Sequence, residues 1–461
     1  MKFDLKKNVS VPAWGLLVGF CIVILCLSFS LFMGVYMLTH NQQESAVPSG
    51  NVTVATGDGM QDDSRQPTGE TNPQGGLLGV IPGDETDSKA PAAEGTDEVP
   101  TDNTPVPDGR VEQLLAEMSV EDKVYQMFIV TPEALVNNEV SCVTVSGETT
   151  KKYIEQRPVG GVIYFTQNLE DTQQTTDMIS KLQEYAGASN DGIGLFIAVD
   201  EEGGRVARAA SKLGTTKHPA MSFFGDGNDP DAPQAVYDAG ADIAQDIRQF
   251  GFNLDFAPVA DVNIDPNNEL GDRIFSSDPQ LVSDLSAQFV KGLQDNGVSA
   301  TLKHFPGLGA ANANTHNSSF VRINRTIEEL RAEEFKAFKG GVDAGSDFVM
   351  LGHQIVSAAG DETPSSMSAV VVGDWLRGEL GYQGIIVTDA QNMGAITQVY
   401  TSEQAAVKAI QAGVDVVLMP ADFQSAYNGV LSAVKNGTIP EERLDESVRR
   451  ILTVKEKHGL I

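Results

Sequence analysis

Lys303-His304-Phe305-Pro306-Gly307 stands nine residues ahead of His316, and Gly384-Ile385-Ile386-Val387-Thr388 runs directly into Asp389. The second segment reads as a buried, β-branched strand that delivers a carboxylate at its C-terminal end. The first places a Lys-His pair at another strand end and a separate histidine on the loop beyond it. A carboxylate opposed to a group that gives and retakes a proton is the minimal equipment for splitting a glycosidic bond. Histidine suits the second role because its ordinary pKa lies near neutrality without burial.

Such groups cooperate only if a scaffold brings strand ends to one mouth. Apolar, β-rich runs appear at Gln126–Val130, Gly161–Phe165, Leu195–Val199, Leu254–Val259, Ala300–Lys303, Phe348–Leu351, Ile385–Thr388 and Val414–Met419. Helical patterns lie between most of them, at Thr172–Tyr185, Ala232–Phe250, Pro279–Asn296, Ile327–Ala344, Val370–Leu380 and Glu403–Ala412, and two more close the chain at Tyr427–Lys435 and Glu441–Lys457. This alternation predicts an α/β fold, a (β/α)8 barrel of the TIM type. A doubly wound open sheet is the alternative. It would favour a full Gly-rich dinucleotide loop, which Gly307-Leu308-Gly309 is not. In a barrel the C-terminal strand ends carry the chemistry. There the sequence puts Asp200-Glu201-Glu202-Gly203-Gly204-Arg205-Val206-Ala207-Arg208, Asp261, Asp272-Arg273, Lys303-His304, His353 and Asp389. Each alone reads as a structural ion pair or a cap, and His304 and His353 read equally well as satisfied core histidines. Their shared position argues for a site. None of the six histidines is paired at short helical spacing with a carboxylate or cysteine, so no metal and no cofactor is expected.

Ahead of the barrel the 461-residue chain changes texture twice. Residues 1–13 form a short basic tail with Lys2, Lys6 and Lys7, and residues 14–38 carry no charged side chain. About 20 apolar residues suffice to span a bilayer as a helix. The lysines before the run predict a single-pass anchor with a cytoplasmic N-terminus and an extracellular catalytic domain. A cleaved signal peptide is the alternative. The apolar run is longer than a usual signal core, and no clear small-x-small site follows it. Residues 39–108 lack Phe, Trp and Tyr and are dominated by Pro, Gly, Thr, Ser, Asp and Glu, which predicts a disordered, self-repelling acidic linker. Residues 109–461 then form the barrel domain. A net charge of −31 excludes nucleic acid as a partner. Of three cysteines, Cys21 and Cys26 lie in the apolar run and Cys142 stands alone beyond it, so the barrel has no internal disulfide and must stand on its core.

The pattern from Gly109 to Ile461 resembles glycoside hydrolase family 3. The matching blocks are D-E-E-G-G-R-V-A-R (200–208), F-A-P-V-A-D-V (256–262), G-D-R-I-F-S-S-D-P (271–279), K-H-F-P-G-L-G (303–309), G-I-I-V-T-D-A (384–390) and R-L-D-E-S-V-R-R-I-L (443–452). A single barrel with a histidine on the loop after Lys-His resembles the bacterial β-N-acetylglucosaminidase branch, which trims N-acetylglucosamine from cell-wall fragments. The resemblance implies that Asp389 is the nucleophile and His316 the acid and base. It also implies that Asp200, Arg208, Arg273, Lys303 and His304 hold the sugar's hydroxyls. One departure stands out. The branch usually reads Asp-Ser-His on this loop, whereas here it reads Asn314-Thr315-His316, and Leu308 and Ala310 replace a further histidine and acid. Asn314 accepts a hydrogen bond but brings no charge to the imidazolium. A comparable Asp-to-Asn change in a serine protease triad lowers turnover about 10⁴-fold. Two alternatives stay open: another β-glycosidase of the family, acting on glucosides or xylosides, and a wall-binding pseudoenzyme.

Overall fold

The computed structural model describes residues 109–311 and 321–461. The strand-like runs become eight short strands: β1 (Phe128–Val130), β2 (Gly161–Ile163), β3 (Phe196–Val199), β4 (Leu254–Asp255), β5 (Thr301–Phe305), β6 (Phe348–Leu351), β7 (Ile385–Thr388) and β8 (Val417–Leu418). Every residue in them is buried. Strands covered on both faces are continuously apolar, which is why these runs do not alternate.

The strands pair in parallel, β8-β1-β2-β3-β4 in one ladder and β7-β6-β5 in another. Two further seams join the ladders. Between β4 and β5, the Asp255 N–H donates to the Ser299 carbonyl (2.9 Å) and the Thr301 N–H to that of Ala257 (2.8 Å). Between β7 and β8, the Thr388 N–H donates to the Val416 carbonyl (3.0 Å). The sheet therefore closes on itself as a (β/α)8 barrel, and the open-sheet alternative is excluded.

The helices fall where the periodicity puts them, and their starts have local causes. Asp171, Asp278, Thr401 and Asp422 each accept a backbone N–H of the following turn. Thr326 and Glu329 close a reciprocal capping box. Two expectations need correction. The helix expected over 327–344 breaks at Glu333 (φ −121°, ψ −74°) into Ile327–Ala332 and Glu334–Asp343. The segment Val370–Glu379 is wound as a π-helix, the Leu380 N–H reaching back to the Trp375 carbonyl. No helix among the described residues is long and apolar enough to cross a membrane. The expected tail (1–13), anchor (14–38) and linker (39–108) lie outside the described residues.

Candidate active site

A cavity of about 330 Å³ opens at the C-terminal mouth of the barrel. It is lined by Asp200, Glu202, Arg208, Arg273, Lys303, His304 and Asp389, with an apolar wall that includes Phe165, Met350, Met393 and Met419. The volume sits near the lower end for small-molecule sites. Six of the eight residues expected at the site converge here. The other two, Asn314 and His316, lie outside the described residues.

The side chains arrive from several different elements. Asp200 follows β3, and the chain then folds into a hairpin, Glu201–Gly203 against Val206–Ala207. Gly203 (φ 85°) and Gly204 (φ 55°) make the turn in a conformation that L side chains rarely adopt. The hairpin points Glu202 into the cavity and returns the chain to Arg208, the first residue of the helix Arg208–Leu213. Arg273 comes from a single turn after β4, Lys303 and His304 from β5 itself, and Asp389 from the residue after β7. The Asp389 N–H is tied to the Leu351 carbonyl on β6 (2.8 Å), and its Oδ1 accepts the Ala390 N–H (2.7 Å).

Glu202 is the electrostatic hinge of the set. Arg273 grips it bidentately, Nε to Oε2 and Nη2 to Oε1, each at 2.7 Å. Lys303 Nζ lies 2.5 Å from Glu202 Oε1 and 3.1 Å from Asp200 Oδ1. Burial alone would push the Glu202 carboxyl up, but the Lys303 and Arg273 charges outweigh it and hold it down at about 2. Conversely, burial favours loss of the Lys303 proton, and Glu202 and Asp200 outweigh that, keeping the ammonium charged. The family resemblance gave Lys303 and Arg273 a role but not Glu202, the strand-end carboxylate that joins them. The signal was the Asp200-Glu201-Glu202 run, in which alternation along an extended segment sends Asp200 and Glu202 to one side and Glu201 to the other.

Asp261 is a second residue left out of the expected site. Its Oδ2 accepts from His304 Nδ1 (2.8 Å), its Oδ1 from the Leu308 N–H (2.6 Å). A carboxylate only accepts, so Nδ1 carries the proton. The same loop is pinned by Gln354, whose Nε2 donates to the Gly307 carbonyl (3.1 Å). His353, in contrast, is a core histidine: 2% exposed, its Nε2 donating to the Ala390 carbonyl (3.0 Å) and its Nδ1 accepting from Ser366 Oγ (2.8 Å). It supports the loop after Asp389 and does not line the cavity. No cluster of His, Cys, Asp or Glu fit to hold a metal occurs among the described residues.

The arrangement offers cationic and anionic groups for hydroxyls, a carboxylate at a strand end, and thioether and aromatic surface in one cavity. Comparison with known proteins agrees with this chemistry. The family profile described as glycosyl hydrolase family 3 N terminal domain matches residues 119–454. A β-hexosaminidase A from Pseudoalteromonas piscicida is 32% identical over 326 residues, covering 66% of this chain and 54% of that protein. A β-hexosaminidase from Nitrosomonas eutropha is 32% identical over 333 residues, covering 69% of this chain and 91% of its own. Among solved structures, a family 3 β-N-acetylglucosaminidase from a Paenibacillus species superposes with a TM-score of 0.69 at 33% identity, covering 74% of this chain and 63% of the other. The chain thus spans about half of the first relative, nearly all of the second and under two thirds of the third.

Proposed function

The chain belongs to glycosyl hydrolase family 3, and from that premise we propose that it is a retaining β-N-acetylhexosaminidase that removes terminal β-linked N-acetylhexosamine. Asp389 attacks the anomeric carbon and forms a covalent glycosyl-enzyme. His316 protonates the leaving oxygen and then deprotonates the water that releases the sugar. Asp200, Arg208, Arg273, Lys303 and His304 hold the sugar's hydroxyls, with Glu202 fixing the two cations between which it lies. The observation that carries this reading is Asp389 at the end of β7, sharing one cavity with the Lys303–Glu202–Arg273 cluster. The test is hydrolysis of a fluorogenic β-N-acetylglucosaminide by the purified full chain, followed by a 2-fluoro sugar with an activated leaving group. We expect turnover and covalent labelling of Asp389, with Asp389→Ala inactive and folded. Labelling of another carboxylate removes the assignment, and preference for a glucoside or xyloside moves the enzyme elsewhere in the family. Sugar binding without turnover establishes the pseudoenzyme.

The uncharged run 14–38 after Lys2, Lys6 and Lys7 supports a membrane-anchored enzyme facing outward, with cell-wall amino sugars as its substrates. Protease added to intact cells is expected to release a fragment that begins within 39–108. A mature N-terminus near residue 45 would instead establish cleavage and secretion.

A further inference from the structure

We propose that Glu201, which does not line the cavity, is the positioning residue for Arg208 and makes sugar affinity depend on pH. Glu201 is 3% exposed and faces away from Asp200 and Glu202. Across the hairpin it pairs in register with Ala207, which brings its carboxylate under the start of the helix Arg208–Leu213. Its Oε2 accepts the Ala209 N–H (2.7 Å) and its Oε1 the Ala210 N–H (3.2 Å). The Arg208 N–H itself donates to the Asp200 carbonyl (3.3 Å). Arg208 is therefore held at its own amide from one side and at the next two amides from the other. Its guanidinium lies 5.8 Å from the Phe165 ring centroid, both residues lining the cavity, and its Nε is buried without an acceptor. A buried donor with no acceptor from the protein favours an arriving hydroxyl or carbonyl. The gain is realised only if the arginine starts from the right place, which is what Glu201 fixes.

The groups around Glu201 make this grip adjustable. Asp200 and Arg208 flank it on its own segment. From β4, Asp255 Oδ1 accepts the Glu201 N–H (2.9 Å) while Asp255 Oδ2 is buried without a partner, and the Lys303 charge on β5 acts on Asp255. Burial pushes the Glu201 carboxyl up to about 7 against the pull of the Ala209 and Ala210 N–H groups and of Arg208. Burial also pushes Asp255 well above the usual carboxylate range. Ionised, Glu201 accepts both amides through charge-assisted bonds. Protonated, one of its oxygens becomes a donor and that hold weakens. Affinity for the sugar then rises as pH rises through neutrality.

The choice of ligand rests on the proposed function, so two readouts are taken on the full chain. The first is the Kd of N-acetylglucosamine, with KM and kcat, between about pH 5.5 and 8.5. In the parent, Kd is expected to tighten with rising pH. In Glu201→Gln, binding at high pH is expected to weaken about tenfold and lose its pH slope with kcat little changed, and the substitution is expected to add nothing in an Arg208→Gln background. The second is the Arg208 ¹⁵Nε resonance without any sugar, assigned by its loss in Arg208→Lys. It is expected to titrate near neutrality in the parent and stay flat in Glu201→Gln. If Glu201→Gln does not fold, Glu201→Asp takes its place: the charge is kept and the reach shortened, so binding is expected to weaken while the pH slope remains. A parent that binds no N-acetylglucosamine overturns the substrate reading, and the resonance then decides the role of Glu201. Equal Kd slopes in the parent and Glu201→Gln, parent-like affinity in Glu201→Asp, or an Arg208 signal indifferent to Glu201, overturns the positioning role.

Discussion

Two histidines of this chain differ in the company they keep. His304 has a carboxylate on its Nδ1, supplied by Asp261. His316 has Asn314 as its partner in sequence, two residues ahead. An anionic neighbour favours the protonated imidazole, and a neutral amide does not. Replacing Asn314 with Asp is therefore expected to raise the His316 pKa and shift upward the basic limb of the kcat/KM–pH curve, where His316 must stay protonated. A shift of one unit corresponds to about 1.4 kcal/mol of differential interaction. His316→Ala is expected to slow substrates with poor leaving groups far more than those with activated phenols, which need little protonation. The pH dependence of kcat/KM checks the first, and steady-state rates across a leaving-group series check the second. Should His316→Ala match the parent on every substrate, the Asp261–His304 pair becomes the next proton carrier to examine.

At the scale of elements, the two ends of the barrel do different work. The N-terminal ends are tied by ion pairs that face away from the cavity. Asp415, just ahead of β8, is fully buried. It accepts from Arg377 Nη2 (2.6 Å), Arg450 Nη1 (3.1 Å), Ser447 Oγ (2.6 Å) and the Ile386 N–H of β7 (2.9 Å). Burial would push its carboxyl up, and the surrounding arginines hold it below the usual range. Asp415→Ala leaves those cations without their partner and is expected to cost about 3–5 kcal/mol in urea unfolding, with KM unchanged in whatever folds. The same contrast explains what was legible beforehand. All eight strands were readable because buried parallel strands are continuous apolar runs, and the helices because their buried faces repeat. The break at Glu333 and the π-winding over 370–379 were not readable, since both answer to packing from neighbouring elements. The hairpin at 201–207 was hidden inside a charged motif. At the site, the cationic members announced themselves by motif, whereas Glu202 and Asp261 earn their places through partners distant in sequence.

At the scale of the whole molecule, the last described helix, Glu441–Lys457, fastens the final part of the barrel domain to its first helices. Lys455 is fully buried. Its Nζ donates to Gln126 Oε1 and to the Gly194 carbonyl, each at 2.7 Å, and lies 5.3 Å from the Phe196 ring centroid. Burial brings its pKa from an ordinary 10.5 down to about 7. Below pH 7 the amine is protonated in both folded and unfolded chains, and its effect on stability is flat. Above pH 7 the unfolded chain binds a proton that the folded one does not, so stability rises with pH toward 10.5 by up to about 1.4 kcal/mol per unit. Comparing the pH dependence of unfolding in the parent and in Lys455→Met is expected to isolate that slope. A variant with the parent's slope would show that the amine titrates normally. Other clasps accompany it: Lys123 with Asp445 at 2.7 Å and Arg449 with Glu112 at 2.6 Å. The pairs Lys455–Gln126, Lys123–Asp445 and Arg449–Glu112 join residues more than 300 positions apart. A ribosome adds roughly 5–20 residues per second, so the first strand waits tens of seconds for the segment that seals it. Nascent chains stalled before Glu441 are expected to remain open to protease, because the helix that clasps the flank of the first strand is still missing.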